Sequence, residues 1–176
     1  MIQQSITGNE TEALVRQELT KLGLFSIKPV PDRGVDLLVT DSQNSGKTLK
    51  IQVKGRGPIQ TNGRYRWFQI RTTQKQREET IEAGFPAKEA WRFKVKKVDC
   101  FIMVSLKFNE FWIFNQAEIE SIITICENKY GNRKDNREGM QAEIDLDISH
   151  EGQPLTKIYD KNLNNWSFIT NCFSII

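Results

Sequence analysis

Two short apolar segments around a polar turn constrain the fold of this chain more than any other feature. The first spans residues 34–39, the second spans residues 49–56, and the polar run of residues 42–47 lies between them. Apolar runs of this length bounded by turn-forming residues are typical of β-strands. The pattern therefore predicts an antiparallel β-hairpin.

Polar residues interrupt both predicted strands where a buried strand is normally apolar. They are Asp36 in the first strand, and Gln52 and Lys54 in the second. Because side chains alternate between the faces of a strand, Gln52 and Lys54 point to one side, and Ile51 and Val53 point to the other. A carboxylate, an amide oxygen and a lysine on adjacent strands can hold a divalent ion beside an activated water. The hairpin therefore indicates metal-dependent hydrolysis.

The composition is that of a globular protein with one domain. The chain has 176 residues, of which 38% are hydrophobic and 27% are charged. It has no long apolar run and no charged start followed by an apolar core, so we predict no membrane span and no secretion. The three cysteines lack the spacing of a metal site or a disulfide framework, which favours a cytoplasmic protein.

The rest of the chain alternates between helical and strand patterns. Helices are predicted over residues 7–22, 73–83 and 116–127, with Thr7 or Asn9 as the N-cap of the first and Thr72 or Thr73 as the N-cap of the second. Further strands are predicted over residues 25–30, 67–70, 98–106, 111–114 and 142–148. The run 98–106 is almost wholly apolar, so we expect it in the middle of the sheet. The sum predicts an α/β domain with a mixed β-sheet flanked by α-helices. We expect a single domain over residues 1–176, with a core over about 8–127, a mobile polar loop over about 128–139 and a C-terminal extension over 140–176.

The polar groups of the hairpin suit phosphodiester hydrolysis. Mg²⁺ prefers oxygen ligands and usually keeps several waters, so Asp36, the Gln52 side-chain oxygen and the Val53 carbonyl are candidate ligands. Lys54 would orient the attacking water, take its proton, or stabilise charge at the phosphorus, and the sequence leaves these three roles open. Glu12, on the first predicted helix, can approach the same pocket and add a carboxylate.

These residues resemble the motif of the PD-(D/E)xK nuclease superfamily, and most of all its archaeal Holliday junction resolvase-like and restriction-endonuclease-like members. The resemblance is carried by Gly8, Glu12, Val15, Leu19, Gly23, residues 29–36 and residues 51–54. It implies a restriction-endonuclease-like core with a four-stranded mixed sheet. It also implies DNA cleavage that depends on Mg²⁺, for which Mn²⁺ can substitute, and the catalytic residues Glu12, Asp36, Gln52 and Lys54.

One departure from the family pattern leaves two functions open. Gln52 stands where the family most often has an acidic residue, although some members resemble this chain in carrying glutamine there. A neutral amide binds a hard dication less strongly than a carboxylate does. The sequence therefore predicts an endonuclease, with an inactive DNA-binding or assembly module as the alternative. Glu10 is a rival for the role of Glu12, since both are expected in the first helical turn, where acids also favour the helix dipole.

Basic residues follow the second strand of the hairpin, and aromatic residues lie between some of them. The predicted DNA contacts are Arg56, Arg64, Arg66, Lys75 and Arg77, and a second basic run covers residues 92–97. Such cations neutralise backbone phosphates, although a solvated surface of mixed charge has the same composition. Cutting both strands of a duplex usually needs two active sites, so we expect a homodimer. No glycine-rich nucleotide loop is present, and we predict no small-molecule cofactor.

Overall fold

A five-stranded mixed sheet is the centre of the fold in the computed structural model, which describes residues 2–30, 34–41, 46–60, 62–130 and 141–173. The strands are β1 (Leu24–Ile27), β2 (Leu37–Asp41), β3 (Leu49–Arg56), β4 (Trp67–Arg71), β5 (Cys100–Ser105), β6 (Glu110–Asn115), β7 (Gln141–Asp145), β8 (Ser149–His150) and β9 (Gln153–Pro154). The α-helices are α1 (Ile2–Lys21), α2 (Gln74–Glu82), α3 (Ala90–Val95), α4 (Gln116–Tyr130), α5 (Leu155–Ile158) and α6 (Ser167–Cys172).

The main sheet has the strand order β1-β2-β3-β5-β6. Its strands pair antiparallel except for β3 and β5, which are parallel. Strand β4 pairs with β7 in a separate two-stranded sheet, and β8 pairs with β9 in another. The predicted hairpin and the mixed α/β class are confirmed, with five strands in the main sheet where the resemblance implies four.

Each face of the main sheet is covered by its own hydrophobic core. On one face, Ile51 and Val53 of β3 pack with Val15 and Leu19 of α1. On the other face, the aromatic and aliphatic residues of β5 pack with α3, α4 and the β4–β7 sheet. Because side chains alternate along β3, Gln52 and Lys54 belong to this second face. The predicted opposition of these two residues to Ile51 and Val53 is therefore confirmed.

Several boundaries differ from the predicted ones. Helix α1 begins at Ile2, so Thr7 and Asn9 lie inside it and are not its cap, and neither Glu10 nor Glu12 lies in its first turn. Strand β5 is interior and fully buried, but β3 is the central strand because two strands flank it on each side. The short helix α3 was not predicted.

Some predictions concern residues beyond those that the structure describes. Residues 31–33 hold part of the nuclease-like motif, residues 42–45 hold most of the predicted turn, and residues 131–139 hold most of the predicted loop; all lie outside the described residues. The loop does not begin at residue 128, because α4 continues to Tyr130. Among the described helices, none combines the length and hydropathy that crossing a membrane requires.

Helix α1 approaches β3 closely at a glycine next to Lys54. A Cβ atom added to Gly55 would lie 2.4 Å from both Cγ2 and Oγ1 of Thr11, which is closer than carbon atoms pack. The Thr11 hydroxyl is itself fixed, because it donates to the carbonyl oxygens of Thr7 at 2.9 Å and Gly8 at 3.0 Å. Gly55 therefore permits the contact that sets the distance between the helix and the strand.

Gly55→Ala is expected to lower the free energy of unfolding by about 2 kcal/mol, because the added methyl group forces Thr11 and α1 away from β3. Urea denaturation followed by circular dichroism measures the loss. Gly57→Ala is the matched control, since its Cβ would lie 3.4 Å from the nearest atom, Thr7 Oγ1. Equal losses in the two variants would show that the helix is not constrained at Gly55.

Candidate active site

Asp36 is held against β3 at the point where β2 begins. Its backbone N–H donates to the Ile51 carbonyl at 2.9 Å, and its Oδ2 accepts a 2.7 Å hydrogen bond from the Val53 N–H. The backbone register of β2 with β3 ends at the pair Leu37 and Ile51, so the Asp36 carboxylate replaces a backbone acceptor for Val53. The same oxygen lies 3.9 Å from Lys54 Nζ. The hairpin thus brings the predicted carboxylate and the predicted lysine together.

Gln52 carries a buried oxygen that accepts no hydrogen bond from the part of the chain that the structure describes. The residue is only 1% exposed, and its Nε2 donates to the Gly34 carbonyl at 3.1 Å. Because a carbonyl can only accept, this bond fixes the orientation of the amide and leaves Oε1 as the free end. Oε1 is buried and unpaired among the described residues. An unsatisfied buried acceptor costs about 1–3 kcal/mol, so this oxygen fits a site that a cation completes.

The Val53 carbonyl faces the same edge of β3 as the Asp36 carboxylate. The Lys50 carbonyl accepts from Asp99, next to β5, whereas the Ile51 carbonyl accepts from Asp36, on the side of β2. Since the backbone groups of successive residues point to opposite edges of a strand, Val53 points towards β2, as Ile51 does. The Val53 carbonyl oxygen therefore lies on the same edge of β3 as Asp36.

The donor set at this edge suits a hard cation. It consists of the carboxylate of Asp36, the amide oxygen of Gln52 and the carbonyl of Val53. Among the described residues, no three His, Cys, Asp or Glu side chains form a group that could hold a metal ion. Mg²⁺ commonly takes one or two carboxylates and keeps several waters, so the mixed set fits Mg²⁺.

Glu12 lies on α1 and is engaged elsewhere. Its Oε2 accepts a 2.7 Å hydrogen bond from Lys28 Nζ, in an ion pair just after β1. Glu12 is partly buried, whereas its rival Glu10 is exposed. The structure brings Asp36, Gln52, Val53 and Lys54 together, and it pairs Glu12 with Lys28 instead of Lys54.

The predicted DNA contacts Arg56 and Arg64 surround one aromatic ring. The Arg56 guanidinium lies 4.8 Å from the centroid of Trp67, and that of Arg64 lies 5.8 Å from the same centroid. Arg64 also lies 5.5 Å from the ring centroid of Tyr130 and 3.9 Å from Asp145 Oδ2. Arg56 Nε donates to the Arg64 carbonyl at 3.2 Å. These contacts hold Arg64, which precedes β4, against Arg56, which lies two residues after Lys54 on β3.

Arg66 forms a closed ion-pair network. Its Nε and Nη2 bind the two carboxylate oxygens of Glu110 at 2.6 and 2.7 Å, and its Nη1 binds Asp147 at 3.0 Å. The hydrogen bond from Arg66 to Glu110 is the main reason that the pKa of Arg66 is raised. Burial by itself would raise the pKa of Glu110, but hydrogen bonds from Arg66 and Trp112 outweigh it and lower the pKa. The network therefore stabilises the junction of β4, β6 and β7.

The Glu110 network predicts a stability that depends on pH. The folded-state pKa of Glu110 is lowered, so its carboxylate stabilises the fold fully at pH values above 4.5, the ordinary pKa. This stabilisation is lost as the pH falls through the lowered pKa of the folded state. Glu110→Gln is therefore expected to lower the free energy of unfolding by about 2 kcal/mol near neutral pH. The difference from the wild type should shrink below pH 4.5. Urea titrations across this range measure it, and a difference that does not change with pH would contradict the assignment.

The remaining predicted cations differ in exposure. Lys75 is exposed on α2, where its Nζ lies 3.9 Å from Glu79, and Arg77 is on the same helix with a buried Nε.

Sequence reasoning did not single out Lys94 from the basic run 92–97. Its Nζ donates to the Arg71 carbonyl at 2.9 Å, and its Cε would lie 3.5 Å from a Cβ added to Gly34. Lys94 thus reaches the backbone that orients the Gln52 amide.

No protein-family model and no curated protein matches the sequence. The fold is similar to that of a solved bacterial homing endonuclease, I-Ssp6803I, with a TM-score of 0.52. The superposition covers 96% of this chain and 91% of that chain, at 16% sequence identity. The chain therefore has a fold also found in a nuclease.

Proposed function

We propose that this protein is a metal-dependent DNA endonuclease. The observation that carries the proposal is the buried oxygen of Gln52, which has no hydrogen-bond partner among the described residues and lies on the strand where Lys54 is linked to Asp36. A buried acceptor without a partner costs free energy, and one on the face of β3 that also carries Lys54 can complete a cation site for hydrolysis. The fold of the homing endonuclease supports the same reaction class.

In this proposal, Asp36, Gln52 and Val53 hold Mg²⁺, and Mn²⁺ can replace it. The bound cation supplies neutralisation of the phosphate and activation of the attacking water. The water oxygen would form a bond to phosphorus and lose a proton to solvent, while the bond from phosphorus to the leaving oxygen breaks and that oxygen takes up a proton from solvent. The Lys54 ammonium, held by Asp36, offsets negative charge at the phosphorus and orients the water. Glu12 would join the site only after it leaves Lys28.

The same residues support a proposal for the type of nuclease. We assign the chain to the PD-(D/E)xK type of nuclease, with Gln52 in the position that is usually acidic. Support comes from the match of Asp36, Gln52 and Lys54 to the motif and from their proximity. The active form would be a cytoplasmic homodimer, in which two sites cut the two strands of DNA, and residues 1–176 would form one nuclease domain.

An inactive DNA-binding module is the second candidate, and Gln52 is again the reason. A neutral amide gives Mg²⁺ less electrostatic attraction than a carboxylate, so the site can bind DNA without holding the cation tightly. The proposed contacts of such a module would be Arg56, Arg64, Lys75 and Arg77, whereas Arg66 would stay bound to Glu110 and Asp147. They would neutralise phosphates in either function.

Incubation of the purified chain with supercoiled plasmid, branched DNA and single-stranded DNA tests the proposal. Each substrate is given Mg²⁺, Mn²⁺ or EDTA, and products are separated on gels. We expect nicked or linear products with either metal and none with EDTA. Retarded DNA that stays intact under all conditions would reject the endonuclease and support the binding module.

A further inference from the structure

Arg56, Arg64 and Trp67 form a cluster that we call the arginine–tryptophan stack. The two guanidiniums lie 4.8 and 5.8 Å from the centroid of the Trp67 ring, and Arg56 Nε binds the Arg64 carbonyl. The indole N–H of Trp67 is buried and has no acceptor among the described residues. The stack therefore holds more hydrogen-bond donors than acceptors.

The stack also holds more positive charge than negative charge. Asp145 is the carboxylate paired with Arg64, at 3.9 Å, and Tyr130 donates to this same oxygen at 2.6 Å. Among the described residues, Arg56 has no carboxylate partner within ion-pair distance. Burial first, and then the charge of Arg64, lower the pKa of Arg56. The fold thus keeps two cations together at a cost that an anion between them would remove.

Arg66 does not share the excess of positive charge found at Arg56 and Arg64. Arg66 lies over an aromatic ring as Arg56 does, with its guanidinium 4.1 Å from the centroid of Phe108. Its donors are occupied by Glu110 and Asp147, so a phosphate would have to break a bidentate ion pair to reach it. Arg56 offers a comparable stacked guanidinium without that competition.

The position of Arg56 indicates which anion the stack receives. Arg56 follows Lys54 by two residues on β3, so both side chains lie on the same face, about 6.6 Å apart along the strand. This separation is similar to that between successive phosphates of one DNA strand. We infer that Arg56 and Arg64 form a receptor for a DNA backbone phosphate beside the phosphate at Lys54. The inference rests on the proposed function for the second phosphate, but the receptor itself requires only DNA binding.

Binding of a fluorescein-labelled DNA duplex in EDTA tests the receptor without cleavage. Dissociation constants are measured by anisotropy at several KCl concentrations, and their logarithms are plotted against the logarithm of salt. Arg56→Gln is expected to weaken binding about tenfold or more and to reduce the slope by about 0.9, the value for one phosphate contact. Arg56→Lys keeps the charge but not the planar fork, so it should keep the slope and still lose affinity.

Two control variants separate the receptor from general loss of charge. Arg66→Gln removes a stacked arginine that is already neutralised, and its salt slope should equal that of the wild type. Lys161→Gln removes an exposed cation that pairs with Glu118, near the opposite end of the sheet from Arg56, and should also leave the slope unchanged. If Arg66→Gln unfolds, Lys161→Gln remains as the control. Equal slopes for Arg56→Gln and wild type would overturn the receptor.

The outcomes for the receptor and for the proposed function are distinguishable. If Mg²⁺-dependent cleavage is absent while Arg56→Gln reduces the salt slope, the endonuclease fails and the receptor stands as part of a binding module. If the wild type cleaves DNA but Arg56→Gln binds with unchanged slope and affinity, only the receptor fails. If Arg56→Gln and Lys161→Gln reduce the salt slope equally, the effect comes from net charge, and the receptor is also rejected.

Discussion

Asp36→Asn and Lys54→Met are each expected to reduce Mg²⁺-dependent DNA cleavage by about 10³-fold, because the first removes the carboxylate proposed to hold Mg²⁺ and the second removes the cation proposed to lie beside the reacting phosphate. Asparagine can still accept the hydrogen bond from the Val53 N–H, so the first variant should keep the fold at the start of β2. Methionine keeps the apolar stem of Lys54 and loses the amine. Initial rates of plasmid nicking measure both losses.

Lys50→Met is the matched control for the loss of a lysine on β3. Lys50 is exposed and lies four residues before Lys54 on the same face of the strand, away from Asp36. Its variant should cleave within a few-fold of the wild type. Circular dichroism and urea denaturation show whether each protein is folded. Wild-type cleavage by folded Asp36→Asn and Lys54→Met would show that the active site has been assigned to the wrong residues.

The hairpin and its polar residues were predictable because their signals are local. Strand β3 has the predicted bounds, Leu49–Arg56, since alternation and the flanking turns define them within a few residues. Helix α2 was predicted for the same reason: Thr73 forms a capping box with Gln76, and Gly84 follows the helix with a φ of +83°. Asp36, Gln52 and Lys54 lie on one such hairpin, so their proximity follows from a short turn.

Contacts between distant segments were not predictable from one sequence. Strand β4 pairs with β7 in its own sheet, and nothing in the pattern of either strand specifies this partner. For the same reason the role of Arg66 could not be read from its neighbours: its partners Glu110 and Asp147 are 44 and 81 residues away in the chain. A basic residue near a predicted active strand is assigned to DNA from its position alone, and the sequence does not show its ion pairs with distant residues.

The start of the first helix was also predicted at the wrong residue, for a different reason. Acidic residues and a possible cap near Thr7 predicted a helix start there, but α1 begins at Ile2. Polar residues that cap a helix are also tolerated inside one, so the signal for a start is weaker than the signal for a helix. The ion pair of Glu12 with Lys28 depends on how α1 packs beside β1, which local patterns do not determine.

Gln52→Glu is expected to lower the free energy of unfolding by about 3 kcal/mol in EDTA, because it buries an ionised carboxylate without a partner. The substitution also replaces the donor to the Gly34 carbonyl by an acceptor, and it adds negative charge near Asp36. Mg²⁺ should reverse much of this loss, since a cation bound at 100 times its dissociation constant stabilises by about 2.7 kcal/mol. Urea denaturation at about pH 8, where an ordinary carboxyl is ionised, measures both values.

The Gln52→Glu substitution shows whether Gln52 is a metal ligand or only a structural amide of the core. If Oε1 of Gln52 faces the cation, Gln52→Glu strengthens Mg²⁺ binding, so the variant gains more stability from Mg²⁺ than the wild type does. Gln153→Glu is the control, because Gln153 is exposed on β9 and its exchange should change stability by less than about 0.5 kcal/mol with or without Mg²⁺. If Gln52→Glu loses the same stability in EDTA and in Mg²⁺, the buried oxygen belongs to the core and the cation site must be sought elsewhere.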